Sequence, residues 1–271
     1  MRVLFLGDVV GKSGRRLVAE TLPGLRRKYH IDFVIVNGDN AAHGFGLSLS
    51  VCRELFAGGA DVITSGNHGW IAKEIQPLLD TENRLLRPAN YPAGTPGKGA
   101  GFYRLPDGRG IGVLHVQGRV YMDSIENPFF AARQWTDAVK LGHDAQAMIV
   151  DIHAEATSEK MALGQYLDGT VSLVVGTHTH IPTADAQILP GGTAYLTDAG
   201  MCGCFDSVIG MNKTEPVRRF VTNRASEKYS PEKGDATVCG VMIDTNDSTG
   251  LAEKIYMIRY GGRLQESLPP L

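Results

Sequence analysis

Short, near-continuous runs of Val, Ile and Leu return along the chain, at residues 3–6, 33–36, 62–64, 111–116, 148–152 and 171–175. Such runs read as buried strands. Helix-like stretches lie between the first of them. After Ser13, an N-cap candidate, Leu17, Thr21, Leu22 and Leu25 fall at helical spacing, with Pro23 expected to bend or interrupt that helix. Residues 50–56 read as a second helix, stopped by Gly58 and Gly59. Strand, helix, strand, helix, strand in this order predicts right-handed crossovers and a mainly parallel sheet covered on both faces, an α/β architecture. From about Thr193 onward, strand-like pieces at 237–243 and 254–258 follow without clear helices between them, which predicts a more antiparallel second half and two packed sheets. Residues 90–101 are dense in Pro and Gly, and 200–233 mix Gly, Pro and charges without a sustained period, so both read as long loops, a class that supplies lids and subunit contacts.

A chain of 271 residues with 43% hydrophobic content buries a full core, and one domain over 1–271 is expected. With 27 basic against 29 acidic residues the net charge is −2, so no broad field recruits nucleic acid or an anionic membrane. The apolar run before Gly7 and Asp8 is too short for a signal-peptide core, and no later run reaches membrane-spanning length; a cytoplasmic location is the expectation. Cys52, Cys202, Cys204 and Cys239 suit a reducing compartment, and Cys202-Gly203-Cys204 reads as ordinary loop rather than a soft-metal site.

The informative pattern is what stands at the ends of the apolar runs. Asp8 ends the first, Asp39 and Asn40 follow the second, Asn67 and His68 the third, and His153 and His178 repeat the arrangement. In a parallel sheet the C-terminal strand ends share one edge, where ligands bind, so these residues would converge. Singly, each has an ordinary explanation: Asp or Asn after a strand forms turns and caps helices, and a lone His finds a backbone partner. Jointly they are an oxygen and imidazole ligand set, and His178-Thr179-His180 puts two imidazoles close together.

Gly7-Asp8, Asn37-Gly38-Asp39-Asn40, Gly66-Asn67-His68, His153 and Gly176-Thr177-His178-Thr179-His180 resemble, in order, the motif series of the calcineurin-like metallophosphoesterases. Residues 40–44, 118–122, 153–160 and 206–211 narrow the resemblance to the bacterial YmdB-like branch and extend it over most of the chain. Two departures from the superfamily stand out. Asp8 is followed by Val9 and Val10, where the usual first motif is Asp-x-His, and Asn40 takes the missing ligand's place; His68 is followed by Gly69, where a carboxylate is usual. Within the branch a Glu commonly stands where this chain has Asp39.

The resemblance implies a four-layer α/β/β/α sandwich of two mixed sheets. It implies one metal held by Asp8, Asp39, Asn40 and His180 and a second by Asp39, Asn67, His153 and His178, with Asp39 bridging. Two divalent transition-metal ions are expected, Fe or Mn first and Zn next, since the set has no thiolate. The implied reaction is phosphodiester hydrolysis by a metal-bridging hydroxide, with His68 as proton donor and cyclic nucleotides such as 2′,3′-cyclic AMP as substrates. His43 and Arg119 are candidate substrate contacts, with a loop histidine and a structural ion pair as their alternatives. Thr157 or Ser158 would cap a helix beside the site. The expected partner is a small phosphate ester, not a membrane or a stably bound nucleic acid, and self-association through the long loops is open. A P-loop fails on spacing: three residues separate Gly7 from Gly11 before Lys12 and Ser13, where that motif needs four. A phosphomonoesterase using the same metals, or a regulatory metal-containing binding protein, are the competing functions.

Overall fold

The computed structural model describes residues 1–270. The first half runs β1 (Arg2–Leu6), β2 (Asp8–Val9), α1 (Gly11–Tyr29), β3 (Phe33–Asn37), α2 (Leu49–Ala57), β4 (Val62–Thr64), α3 (Gln76–Thr81) and β5 (Leu85–Leu86). It continues through β6 (Ala100–Arg104), β7 (Gly110–Gln117), α4 (Pro128–Ala138), β8 (Ala147–His153), α5 (Thr157–Tyr166) and β9 (Leu173–Thr177). The remainder is β10 (Gln187–Ile188), β11 (Ala194–Leu196), β12 (Met201–Cys204), α6 (Thr214–Thr222), β13 (Ala236–Thr245) and β14 (Ala252–Tyr260).

Two mixed sheets result. The eight-stranded sheet has the order β2-β12-β13-β1-β3-β4-β5, with β14 also paired to β13. Its β1-β3-β4-β5 portion is parallel, and β13 is antiparallel to β1, β12 and β14. The six-stranded sheet has the order β10-β11-β9-β8-β7-β6, parallel from β11 to β7 and antiparallel at both edges. Strands in the middle of these sheets are buried on both faces, which is why their sequences are nearly continuous apolar runs rather than alternating ones.

Three apolar layers define the sandwich. Leu4, Leu6, Val34 and Val36 pack with Val18 and Leu22 of α1 and Val51 and Leu55 of α2. The opposite faces of the same strands, Val3, Phe5, Phe33 and Ile35, pack against Ile111, Val113, Ile149, Leu173 and Val175 of the other sheet. Leu114, Val116, Val150 and Val174 pack with Ala132 of α4 and Leu163 of α5. The four-layer α/β/β/α order is therefore the observed one.

Several local expectations need correction. Pro23 lies inside α1 without ending it, because Val18, Leu22 and Leu25 hold the helix on the sheet on both sides of the proline. The cap position of α1 is Val10, not Ser13, and that of α5 is Ala156, neither with a side-chain cap bond. For α2, Ser48 accepts a bond from the Val51 amide at 3.3 Å. The segment 200–233 is not all loop: it contains β12 and the helix α6. No helix among the described residues is long and apolar enough to cross a membrane.

Candidate metal centre

Parallel β1, β3 and β4 end on the same edge as parallel β8 and β9, so the ligand candidates come together where the two sheets meet. Gly7 allows the turn from β1 to Asp8. A Cβ there would lie 1.8 Å from the Gly200 carbonyl oxygen, which accepts the Asp8 amide at 3.1 Å. His178 and His180 both have positive φ, at 94° and 68°, an unfavourable backbone state for non-glycine residues that costs about 1–3 kcal/mol each and concentrates at functional sites.

One group forms around His180. Its Nδ1 faces the Ile209 carbonyl oxygen at 2.7 Å, and a carbonyl only accepts, so Nδ1 carries the proton and Nε2 the lone pair. Nε2 stands 3.1 Å from Asn40 Oδ1, while Asn40 Nδ2 is spent on the Gly44 carbonyl at 2.9 Å. Asp8 Oδ1 lies 3.8 Å from the same nitrogen and is buried without a hydrogen-bond partner. Two lone pairs thus face each other with no proton between them, and an unpartnered carboxyl oxygen stands beside them.

A second group forms around His153. Thr177 Oγ1 donates to Asp151 Oδ1 at 2.8 Å, so it must accept from His153 Nδ1 at 2.9 Å, and the neutral ring then carries its lone pair on Nε2. That nitrogen lies 3.0 Å from Asn67 Oδ1, 3.2 Å from His178 Nδ1 and 3.4 Å from Asp39 Oδ2. The far side of the His178 ring, Nε2, is 3.3 Å from the Glu155 carboxylate, which favours the proton there and the lone pair on Nδ1. Asp8 Oδ1 is 3.8 Å from His153 Nδ1, and Asp8 Oδ2 accepts the His178 amide at 3.0 Å. Asp8 therefore touches both groups.

Burial pushes the His178 imidazole down to about 3, with His153 adding to the effect, and burial likewise lowers His180. Both rings are neutral at pH 7, the state that binds a metal. Burial, followed by the Asp198 carboxylate, holds the Asp8 carboxyl well above its ordinary range. At Asp39 burial alone would act the same way, but the positive charge that His153 and His68 carry when protonated outweighs it and favours the carboxylate. An uncompensated Asp8 oxygen among lone pairs is what a cation would correct.

With metal–ligand bonds of about 2.1 Å, neighbouring ligands in octahedral or tetrahedral sites stand about 3.0 to 3.4 Å apart. The spacings of 3.0, 3.1, 3.2 and 3.4 Å match that polyhedron edge. Among the described residues, no three or more His, Cys, Asp or Glu side chains are arranged to hold a metal by themselves. Each half relies on an asparagine oxygen, and Asp39 Oδ2 is turned onto His68 Nδ1 at 2.7 Å.

Behind the candidate ligands is a buried polar frame that the reading of strand ends does not reach. Asp151, inside β8, accepts Thr64 Oγ1 at 2.7 Å and Asn37 Nδ2 at 3.1 Å from the other sheet, besides Thr177. It ties both sheets to the His153 ring. Asp198 accepts buried Lys160 at 2.8 Å, Thr179 Oγ1 at 2.6 Å and the Gly200 amide at 2.8 Å, fixing the turn that carries His178 and His180. The available signal was a carboxylate, Asp151, interrupting an apolar run.

A sequence profile described as YmdB-like protein matches residues 4–258.

The chain belongs to the YmdB-like family.

This YmdB-like chain is 47% identical over 259 residues to a Bacillus subtilis protein named 2′,3′-cyclic-nucleotide 2′-phosphodiesterase, covering 95% of this chain and 96% of that protein. A Mycoplasma genitalium protein named putative phosphatase/phosphodiesterase MG246 is 36% identical over 96% of this chain and 92% of its own length. Among solved structures, a hypothetical protein from Thermus thermophilus superposes with a TM-score of 0.90 at 41% identity, over 97% of this chain and 100% of that one. A Mycoplasma pneumoniae structure titled as a novel phosphatase has a TM-score of 0.89 at 36% identity, over 96% and 93% of the two chains.

The remaining sequence candidates of this YmdB-like chain lie elsewhere or in a different role. His43 is exposed and lines a hollow with Lys12, Ser13 and Arg15. Arg119 is exposed too, and its backbone amide donates to Glu159. Neither shares a hydrogen bond or ion pair with the metal-centre candidates among the described residues. His68 borders the cavity above the centre with its Nδ1 already engaged by Asp39.

Proposed function

We propose that this chain is a metal-dependent phosphodiesterase acting on cyclic nucleotides such as 2′,3′-cyclic AMP. The observation that carries this reading is the pair of acceptor-only groups, with His180 Nε2 3.1 Å from Asn40 Oδ1 and His153 Nε2 3.2 Å from His178 Nδ1. The names of the Bacillus and Mycoplasma relatives support the reaction class.

Asp8, Asn40 and His180 would hold one ion, Asn67, His153 and His178 the other, and Asp39 would bridge them. Divalent Fe, Mn or Zn suits this mixed nitrogen and oxygen set. Two bound divalent ions supply an activated water and offset charge on the phosphoryl oxygens. His68 keeps Nδ1 on Asp39 and has Nε2 free beside the cavity, so a protonated ring can pass its Nε2 proton to the leaving oxygen and remain hydrogen-bonded as the neutral tautomer. Asp39 orients that ring, and Phe45, with its ring centroid 5.2 Å from that of His68, packs against it edge-on.

Elemental analysis of the purified protein beside 2′,3′-cyclic AMP turnover tests this. About two metals per chain, with turnover lost in Asp39→Ala and His68→Ala but metal lost only in the former, is the expected result. Loss of metal in His68→Ala would remove its assignment as proton donor. A wild type that stays inactive and metal-free with added Mn²⁺ or Fe²⁺ would overturn the enzyme reading. Faster turnover of a monoester than of the diester would replace it with a phosphomonoesterase.

A further inference from the structure

The cleft over the metal centre has a wall that the hydrolytic chemistry leaves unused. A cavity of about 220 Å³ is bordered by Asn40, His68, His178 and His180 and by the carbon-rich side chains of Phe45, Val208, Ile209, Met211, Phe220 and Tyr229. Among the described residues no Lys, Arg, Asp or Glu lines it. A phosphate ester with a small polar leaving group would gain nothing from such a wall. A flat apolar group attached to the ester would.

The wall is built rather than incidental. The Val208 and Met211 backbones pair with each other at 2.9 Å in both directions, and between them Ile209, in a left-handed conformation at φ 47°, holds His180 by its carbonyl. One short segment thus lines the cleft and sets a candidate ligand. Glu215 of α6 accepts Arg219 Nε at 2.7 Å and both the amide and hydroxyl of Ser226 at 2.8 Å, folding the chain after α6 back toward it. The Arg219 guanidinium then stands 4.0 Å from the centroid of the Tyr229 ring. Phe220 projects from the same helix and is 86% exposed, an aromatic ring left largely uncovered by the described residues.

Resting on the phosphodiesterase reading above, we infer that this wall seats the nucleobase of the substrate, with Phe220 as its stacking platform. Continuity with the metal centre commits the surface to this occupant: a base joined through its ribose to a phosphate held at His68, His178 and His180 falls on the wall. Aromatic stacking needs only the π-face that every base has, and of the wall side chains only Tyr229 carries a hydrogen-bonding group. The site therefore tolerates all four bases and favours purines over pyrimidines through ring area alone.

The test compares 2′,3′-cyclic AMP with the base-free 2′,3′-cyclic phosphate of methyl riboside, using wild type, Phe220→Ala and Phe220→Trp. Because Phe220 is a surface residue, its truncation leaves the fold intact, and circular dichroism checks this. Phe220→Ala is expected to raise KM for the nucleotide roughly tenfold, against at most about twofold for the base-free ester, with Phe220→Trp restoring the difference. Metal content should not change. Calorimetric binding of adenosine 3′-monophosphate against ribose 3-phosphate gives the same comparison without turnover. Equal losses on both ligands, or none on either, would overturn the stacking role. If wild type hydrolyses neither ester, the phosphodiesterase reading falls, and the calorimetry still decides whether Phe220 contacts the base.

Discussion

His180 Nε2 and Asn40 Oδ1 lie 3.1 Å apart, and each directs a lone pair at the other. The His180 proton is committed to Ile209, and the Asn40 amide hydrogens are turned to Gly44. Without a cation this is a repulsive contact inside the fold. Bound metal should therefore raise stability directly: an ion at about 100 times its Kd adds about 2.7 kcal/mol, or roughly 5 °C in Tm for a chain of this size. Thermal melts with chelator and with added Mn²⁺ measure this. Asn40→Ala should show the smaller metal-dependent rise, since it removes one acceptor of the set.

Asp151 and His153 are linked through the single hydroxyl of Thr177, at 2.8 and 2.9 Å. Asp151→Asn replaces an acceptor by a group that must present hydrogens to some of its present donors. The expected result is a destabilisation of about 2–3 kcal/mol and a 10- to 100-fold loss in affinity for one metal, the usual scale for residues that orient a ligating histidine. Denaturant melts and metal titration give the two numbers. Thr177→Val should weaken metal binding in the same direction with a smaller effect on stability.

Gly66 is required by the His153 ring, because a Cβ at position 66 would stand 2.3 Å from His153 Nε2. Gly66→Ala must displace that imidazole or the loop carrying Asn67. Elemental analysis should find metal reduced, while far-ultraviolet circular dichroism stays that of the wild type.

Metal-free protein should lose stability on acidification in part through His178. Its folded value of about 3 lies below the ordinary 6.5, so below pH 6.5 the unfolded chain takes up a proton that the fold refuses. That contribution favours the fold fully above pH 6.5 and is progressively lost down to about pH 3. Asp8, shifted upward by burial, acts with the opposite sign, so the informative quantity is a difference. In the metal-free state, Tm against pH should fall less steeply between pH 6.5 and about 4 for His178→Gln than for wild type.

The sequence exposed the centre because β-sheet geometry leaves few choices: a polar residue at or just after the last position of a buried parallel strand must sit at the sheet's C-terminal edge. Asp39, Asn40, Asn67 and His153 were legible for that reason. The frame behind them was not, because Asn37 and Thr64 reach Asp151 and Thr177 across the two sheets, and such contacts have no sequence spacing. Helix α6 was hidden for a different reason. Its apolar residues Val217, Phe220 and Val221 do fall at helical spacing, but the stripe is only one turn long and stands among the charges of residues 213–219, and in the fold it is exposed. Pro23 is tolerated inside α1 because packing on the sheet offsets the local helix penalty, and that packing is not encoded in the residues next to the proline.

The place of β13 beside β1 has a consequence for how the chain reaches its fold. β1 pairs on one edge with β3, about 30 residues later in the chain, yet its other edge is filled by residues 240–244, more than 200 residues further on. Until then the growing chain carries an open strand edge next to Asp8, the kind of edge that invites pairing with other chains. Such long-range pairing makes folding slow. The first metal-ligand candidate to be synthesised would then be among the last to find its final surroundings, so a nascent chain would have little hold on metal before β13 docks.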